Sequence, residues 1–209
     1  MTFSAPHRDT PTILTVPGLD GSGPGHWQTR WEAQRVDTVR AELGVWNSPH
    51  RNTWVTKLDQ AIASARAPVV LAAHSLGCLA VAWWAHLAGQ PYGWPVIGAL
   101  LVAPADVERA VGRPEVAGFA PHPRVILPFP SLVVASSDDP WTHVDRAHSL
   151  AASWGAEFLD IGARGHINAD SDLGDWHEGQ ALLARFSVAP GASPHHPPGE
   201  SALRRPRAD

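Results

Sequence analysis

Residues 69–80 read VVLAAHSLGCLA. An apolar run, Val69 to Ala73, meets a histidine and a serine among small residues, and a second apolar run starts at once from Leu76. The first run is short and opens on β-branched residues, which reads as a buried strand; the second, Leu76 to Ala88, is long enough for a helix. A strand that becomes a helix around a serine is the setting of the nucleophile elbow, G-x-S-x-G, whose strained turn lifts the serine Oγ above the sheet edge. Small residues two places either side are a steric need of so tight a turn. Gly77 meets that need on one side and Ala73, the smallest substitute, on the other. A serine directly before an apolar helix also reads as an N-cap. The pentapeptide therefore needs partners elsewhere before it points to catalysis.

Outward from the elbow, short apolar runs alternate with helical patterns. Thr12 to Val16, Val96 to Ala103, Leu132 to Ser136 and Glu157 to Ile161 join Val69 to Ala73 as strands mostly buried on both faces. His26 to Arg35, Asn52 to Ala65, Val144 to Trp154 and Trp176 to Phe186 join Leu76 to Ala88 as helices long enough to cross back over a sheet. Val36 to Leu43 fits a further strand, though periodicity does not settle it. The alternation predicts one α/β domain over residues 12–187, a doubly wound, mostly parallel sheet with helices on both faces. Ligands of such a sheet belong at the C-terminal ends of its strands. Residues 1–11, polar and Pro-bearing, are expected to be a flexible N-terminal segment. Residues 188–209, rich in Pro, His and Arg, are expected to form a disordered tail, in which His195-His196 reads as solvated in preference to metal-binding.

Composition narrows the function. A formal charge of −4 supplies no basic field for phosphates, so nucleic acid is not an expected partner, whereas a small soluble substrate or a protein is. The single cysteine, Cys78, rules out an intramolecular disulfide framework and fits a reducing compartment, with the cytoplasm as the expected location. The chain start lacks the apolar core of a secretory signal, and no window reaches the ~18 apolar residues of a membrane span, so no membrane association is expected.

A serine hydroxyl needs a base, and the base an orienting carboxylate. In the order Ser, Asp/Glu, His, the partners should follow later strands. The strand LVVAS is followed by Ser137-Asp138-Asp139-Pro140-Trp141, and the strand EFLDI by Gly162-Ala163-Arg164-Gly165-His166. Each piece has a plainer reading, a turn or a helix cap for the aspartates and a loop histidine for His166, but their joint placement at strand ends points to a triad. Which of Asp138 and Asp139 orients His166 is left open by the residues, the other being expected to cap the next helix. His74, adjacent to Ser75, diverges from it at a tight turn, which makes it a packing, hydrogen-bonding or pocket residue and not the base.

Acyl transfer also requires backbone donors for the developing oxyanion. The N–H of Leu76 supplies one. The loop Pro17-Gly18-Leu19-Asp20-Gly21-Ser22-Gly23-Pro24-Gly25 after the first strand supplies the other from Leu19, its glycines, Gly18 among them, read as backbone approaching a ligand beside the elbow. Nucleotide binding is not supported: neither G-x-G-x-x-G nor G-x-x-x-x-G-K-[ST] occurs, and Lys57 is the only lysine.

With these residues assembled, the chain resembles the small α/β-hydrolase family of retinoblastoma-binding protein 9 and the YdeN-type serine hydrolases. The resemblance rests on VPGLDGSGPGHWQTRWE, AHSLG, SSDDPW and GHINADSDLGDW, from residue 12 to about 186. It implies catalytic roles for Ser75, Asp139 and His166 and a compact α/β-hydrolase fold with little or no cap, for which Pro104 to Pro130 leaves room only for a short lid. No motif for a protein partner is present, so none is carried over.

Ten tryptophans are many for a chain of this size; Trp27, Trp31, Trp83, Trp84 and Trp176 fall at helical spacings that read as core. Trp141, after the acid loop, is a candidate pocket residue. Cys78 reads as packed and inert. With no H-E-x-x-H or C-x-x-C, no metal and no cofactor are expected. The expected function is a serine hydrolase, carboxylesterase-like, cleaving a small ester, thioester or amide. The alternatives are a binding or interaction module that keeps the fold with weak turnover, or perhydrolase or lyase chemistry on the same triad.

Overall fold

The computed structural model describes residues 10–65, 68–109 and 113–187. The expected flexible start, apart from Thr10 and Pro11, and the expected tail with His195-His196 lie outside the described residues.

Six strands, β1 (Thr12–Val16), β2 (Thr38–Arg40), β3 (Val69–His74), β4 (Val96–Val102), β5 (Ser131–Ala135) and β6 (Glu157–Asp160), form a parallel sheet in the order β2-β1-β3-β4-β5-β6. Among the described residues five helices pack on it: α1 (Trp27–Gln34), α2 (Arg51–Ser64), α3 (Leu76–Leu87), α4 (Val144–Trp154) and α5 (His177–Ala184), the last following β6.

The period of two along β3 sorts its side chains between two cores. Leu71 and Ala73 pack with Trp54 and Leu58 of α2, Leu79 of α3 and Trp154 of α4. Val70 and Ala72 pack on the opposite face with Trp27 and Trp31 of α1 and with Trp176 and Leu183 near and in α5. Trp27 lies with ring centroids 4.6 Å from Trp31 and 5.1 Å from Trp176. Such aromatic pairs contribute about 0.5–1.5 kcal/mol beyond their area burial, which fastens α1 and the segment before α5 together under the sheet.

Because β1 is flanked by β2 and β3, chain progression reverses there, and the crevice of a doubly wound sheet opens at that reversal. The loops after β1 and β3 meet at this point, and Ser75 stands at the end of β3.

The stretch Val36 to Leu43, which periodicity left open, contributes the three-residue edge strand β2. Two expectations are corrected. The last strand is not buried on both faces: β6 is the other edge, with Glu157 and Asp160 exposed. Trp83 is only half-buried, on the outer side of α3, where the Arg51 guanidinium covers its ring at 4.3 Å and its Nε1–H donates to Phe119 O at 2.9 Å. Between β4 and β5 the secondary structure among the described residues is one short 3-10 turn, Pro114–Phe119.

Candidate active site

Ser75 adopts φ 53°, ψ −121°. A non-glycine residue there is strained by roughly 1–3 kcal/mol and persists only where its surroundings over-determine it. They do: Ser75 N–H donates to Val102 O at 2.9 Å, and Ser75 O accepts from Cys78 N–H at 3.0 Å. Its hydroxyl makes no capping bond to α3, so the N-cap reading does not describe this serine.

The glycine after the elbow is a packing requirement. A Cβ on Gly77 would lie 2.2 Å from Val16 O, a backbone atom. Gly18 has a similar reason: a Cβ there would meet Ser75 Cβ at 2.8 Å and Leu76 N at 3.1 Å. The expectation that Gly18 is a pocket residue is therefore corrected, since the cavity wall does not include it; it is glycine because the loop after β1 packs against the elbow. Ala73 is fully buried in register between Val16 and Leu101, and the turn forms with alanine in that place.

Strand ends bring the partners over the serine. His166 Nε2 is 2.9 Å from Ser75 Oγ, and His166 Nδ1 is 2.8 Å from Asp139 Oδ2 and 3.0 Å from Oδ1. An ionised carboxylate only accepts, so Nδ1 carries the proton that it donates to Asp139, and Nε2 is left to accept from the serine hydroxyl. The Asp139 side chain is 2% exposed, and its Oδ1 also accepts Trp141 N–H at 2.8 Å. Asp138 points elsewhere, accepting Ser136 Oγ–H and Gly165 N–H, both at 2.7 Å. Those bonds hold its carboxyl below the usual range. The expectation that the other aspartate caps the next helix is corrected: α4 begins at Val144 with His143 as N-cap, and Asp138 grips the loop of His166 instead.

Leu19 and Leu76 both line the cavity beside Ser75. On the loop after β1, Asp20 N–H and Gly21 N–H are engaged with Trp46 O and Gly18 O, at 3.0 and 3.1 Å. Among the described residues no bond engages the N–H of Leu19 or of Leu76. The cavity, about 520 Å³, is also lined by His74, Trp141, Val116 and Arg113. Trp141 is half-exposed, with the Arg113 guanidinium 4.1 Å from its ring centre. Arg113 carried no signal in the sequence, because only the fold returns the segment between β4 and β5 to the elbow.

His26, inside the GHW motif, was also not singled out. It caps α1 through Nδ1, which accepts Gln28 N–H at 3.1 Å, and burial, with the charges of His166 and Arg40, pushes its pKa down to about 3. Gln28 ties this corner together: its amide donates to Ala72 O at 2.8 Å and its carbonyl accepts Ser22 Oγ–H at 2.5 Å. Cys78 is buried, with its thiol pushed up by burial, as a packed and inert residue would be.

The sequence profile described as Serine hydrolase matches residues 13–185. The chain belongs to the serine hydrolase family. A YdeN-like hydrolase of Pectobacterium atrosepticum is 32% identical, with 85% of this chain and 91% of that one covered and a TM-score of 0.75, which makes this serine hydrolase a YdeN-type member. The YdeN gene product of Bacillus subtilis is 18% identical over 86% of this chain and 100% of that one, with a TM-score of 0.68. A thermophilic esterase from Thermogutta terrifontis shares the fold at 15% identity and a TM-score of 0.58, covering 86% and 92% of the two chains. No curated protein matches the chain. Among the described residues of this serine hydrolase, no helix is long and apolar enough to cross a membrane.

Proposed function

We propose that this serine hydrolase cleaves a small ester, thioester or amide through an acyl-enzyme on Ser75, with His166 as base and Asp139 as its orienting acid. The observation that carries the reading is the continuous relay from Asp139 through His166 to Ser75, closed at 2.8 and 2.9 Å. Ser75 Oγ attacks the carbonyl carbon while its proton passes to His166 Nε2. The N–H groups of Leu76 and Leu19 receive the oxyanion, and the imidazolium, balanced by Asp139, returns the proton to the leaving group. Water then repeats the sequence on the acyl-enzyme and releases the acid. A cavity of about 520 Å³ lies within the ~300–1,000 Å³ of small-ligand sites, which favours a compact acyl substrate. A single buried cysteine fits action in the cytoplasm.

A fluorophosphonate probe is expected to label Ser75 in the wild type and to leave Ser75→Ala unlabelled; a folded but unreactive wild type would sink the proposal. A panel of esters, thioesters and amides on the labelled enzyme then sets the bond preference.

A further inference from the structure

Four consecutive residues of the loop that bears His166 are each gripped through the backbone by a side chain from elsewhere. Arg164 N–H donates to Ser136 Oγ at 2.8 Å and Gly165 N–H to Asp138 Oδ1 at 2.7 Å. His166 O accepts from His74 Nε2 at 2.9 Å, and Ile167 O accepts from Trp27 Nε1–H at 2.9 Å. Ile167 holds φ 50°, a conformation that a branched side chain keeps only under such constraint. Two of the grips come from the end of β5, one from α1 and one from the elbow itself.

His74 is the member of this set that binds the residue carrying the imidazole base. A carbonyl only accepts, so Nε2 of His74 bears the proton. Burial holds the ring well below its ordinary pKa of 6.5, with the neighbouring His26 and His166 acting in the same direction, so Nδ1 is bare and the ring neutral. Its ring meets those of His26 and His166 edge to face, at 4.7 and 4.9 Å between centroids, which leaves little room to turn. Rotation of the peptide between His166 and Ile167 would swing the imidazole away from the line joining Asp139 and Ser75. His74, bonded to that peptide's oxygen, opposes the rotation.

We infer that His74 is a positioning residue: its Nε2–H bond to the carbonyl of His166 holds the base in reach of both Asp139 and Ser75. The inference rests on the reading of Ser75 and His166 as nucleophile and base. It gives the histidine of AHSLG a task that its neighbour's chemistry needs.

The test compares His74→Phe, which keeps a ring and lacks the donor, with His74→Gln, whose amide reaches the same oxygen. Fluorophosphonate labelling rates and kcat and KM for p-nitrophenyl acetate are measured on both, beside thermal melts. A displacement of the base by about 1 Å costs about 10²-fold, so His74→Phe should lose that much in labelling and kcat, with KM within about 3-fold and His74→Gln restored to within about 10-fold of wild type. A purely packing role would favour Phe over Gln, so wild-type rates in His74→Phe, or no rescue by Gln, overturn the inference while labelling of the wild type leaves the Ser75 reading standing. A wild type that does not label overturns both. If His74→Phe does not fold, ¹⁵N NMR of the wild type decides: an Nε2–H tautomer, slow to exchange and not titrating from pH 5 to 8, supports the inference. An Nδ1–H tautomer or a titrating ring overturns it.

Discussion

Ser75 is held by close packing of backbone, His166 by hydrogen bonds from side chains. At the elbow, strand β3 runs into α3 against the end of β1 and its loop: Gly77 lies against Val16 O, Gly18 against Ser75, and the strained φ of 53° is enclosed by buried backbone. The loop of His166 carries short-range bonds, Ile167 N–H to Arg164 O at 3.3 Å and Ser171 Oγ–H to Arg164 O at 2.7 Å, and leans on longer ones besides. Its peptides are fixed by Ser136, Asp138, His74 and Trp27, between 27 and 140 residues distant. The difference teaches that Ser75 is specified by close packing and His166 by a set of hydrogen bonds, so the two should fail differently when mutated.

The largest effect is expected where the base loop meets the chemistry. Asp139→Asn should lower kcat by about 10⁴-fold with fold and melting little changed, because an amide can donate to Nδ1 and leave the wrong tautomer facing Ser75; steady-state kinetics beside a melt checks it. The elbow should break by unfolding instead. Gly77→Ala forces backbone apart at Val16 and should cost about 3 kcal/mol in urea denaturation, and an unchanged midpoint would show that the turn is less tightly enclosed than its contacts imply. Asp138→Ala removes one grip among several on the base loop and should lower kcat by about 10-fold without shifting KM; a loss as large as that of Asp139→Asn would erase the distinction between the adjacent aspartates.

The last prediction is seen only in acid and concerns His26, where the loop after β1 passes into α1. Its folded pKa of about 3 lies below the ordinary 6.5, so between those values the unfolded chain binds more protons and stability rises with pH, being lost as pH falls from about 6.5 toward 3. The slope is at most about 1.4 kcal/mol per pH unit for this group. His26→Asn, which keeps an N-cap acceptor without the titration, should flatten that acid limb in denaturation curves taken from pH 6.5 to 4.

Much of the site was legible in the sequence because each part follows a strand. The runs ending at Val16, Ala73, Ser136 and Ile161 place Leu19, Ser75, the aspartates and His166 on one rim of a parallel sheet. The choice between Asp138 and Asp139 was not legible in spacing, since both follow the same strand end. Burial decides it: Asp139 turns inward to the imidazole, and Asp138 turns to Gly165. Gly18 was misread for a related reason, since a glycine needed by backbone packing and one needed by a ligand look alike in a sequence. Trp83 has core-like helical spacing, yet its face of α3 meets Arg51 and solvent.

By itself the sequence determined the alternation of strands and helices, the strained serine between two apolar runs and the order of the three chemical groups. These are consequences of local sterics and of hydrophobic period, which act over a few residues. Only the tertiary structure decided which aspartate meets the imidazole, how a cavity forms from Trp141, Arg113 and the elbow, and that His74 and Trp27 bond to the loop of His166. Hydrogen bonds across 92 and 140 residues depend on the closing of the whole sheet, and no short-range pattern in the chain encodes them.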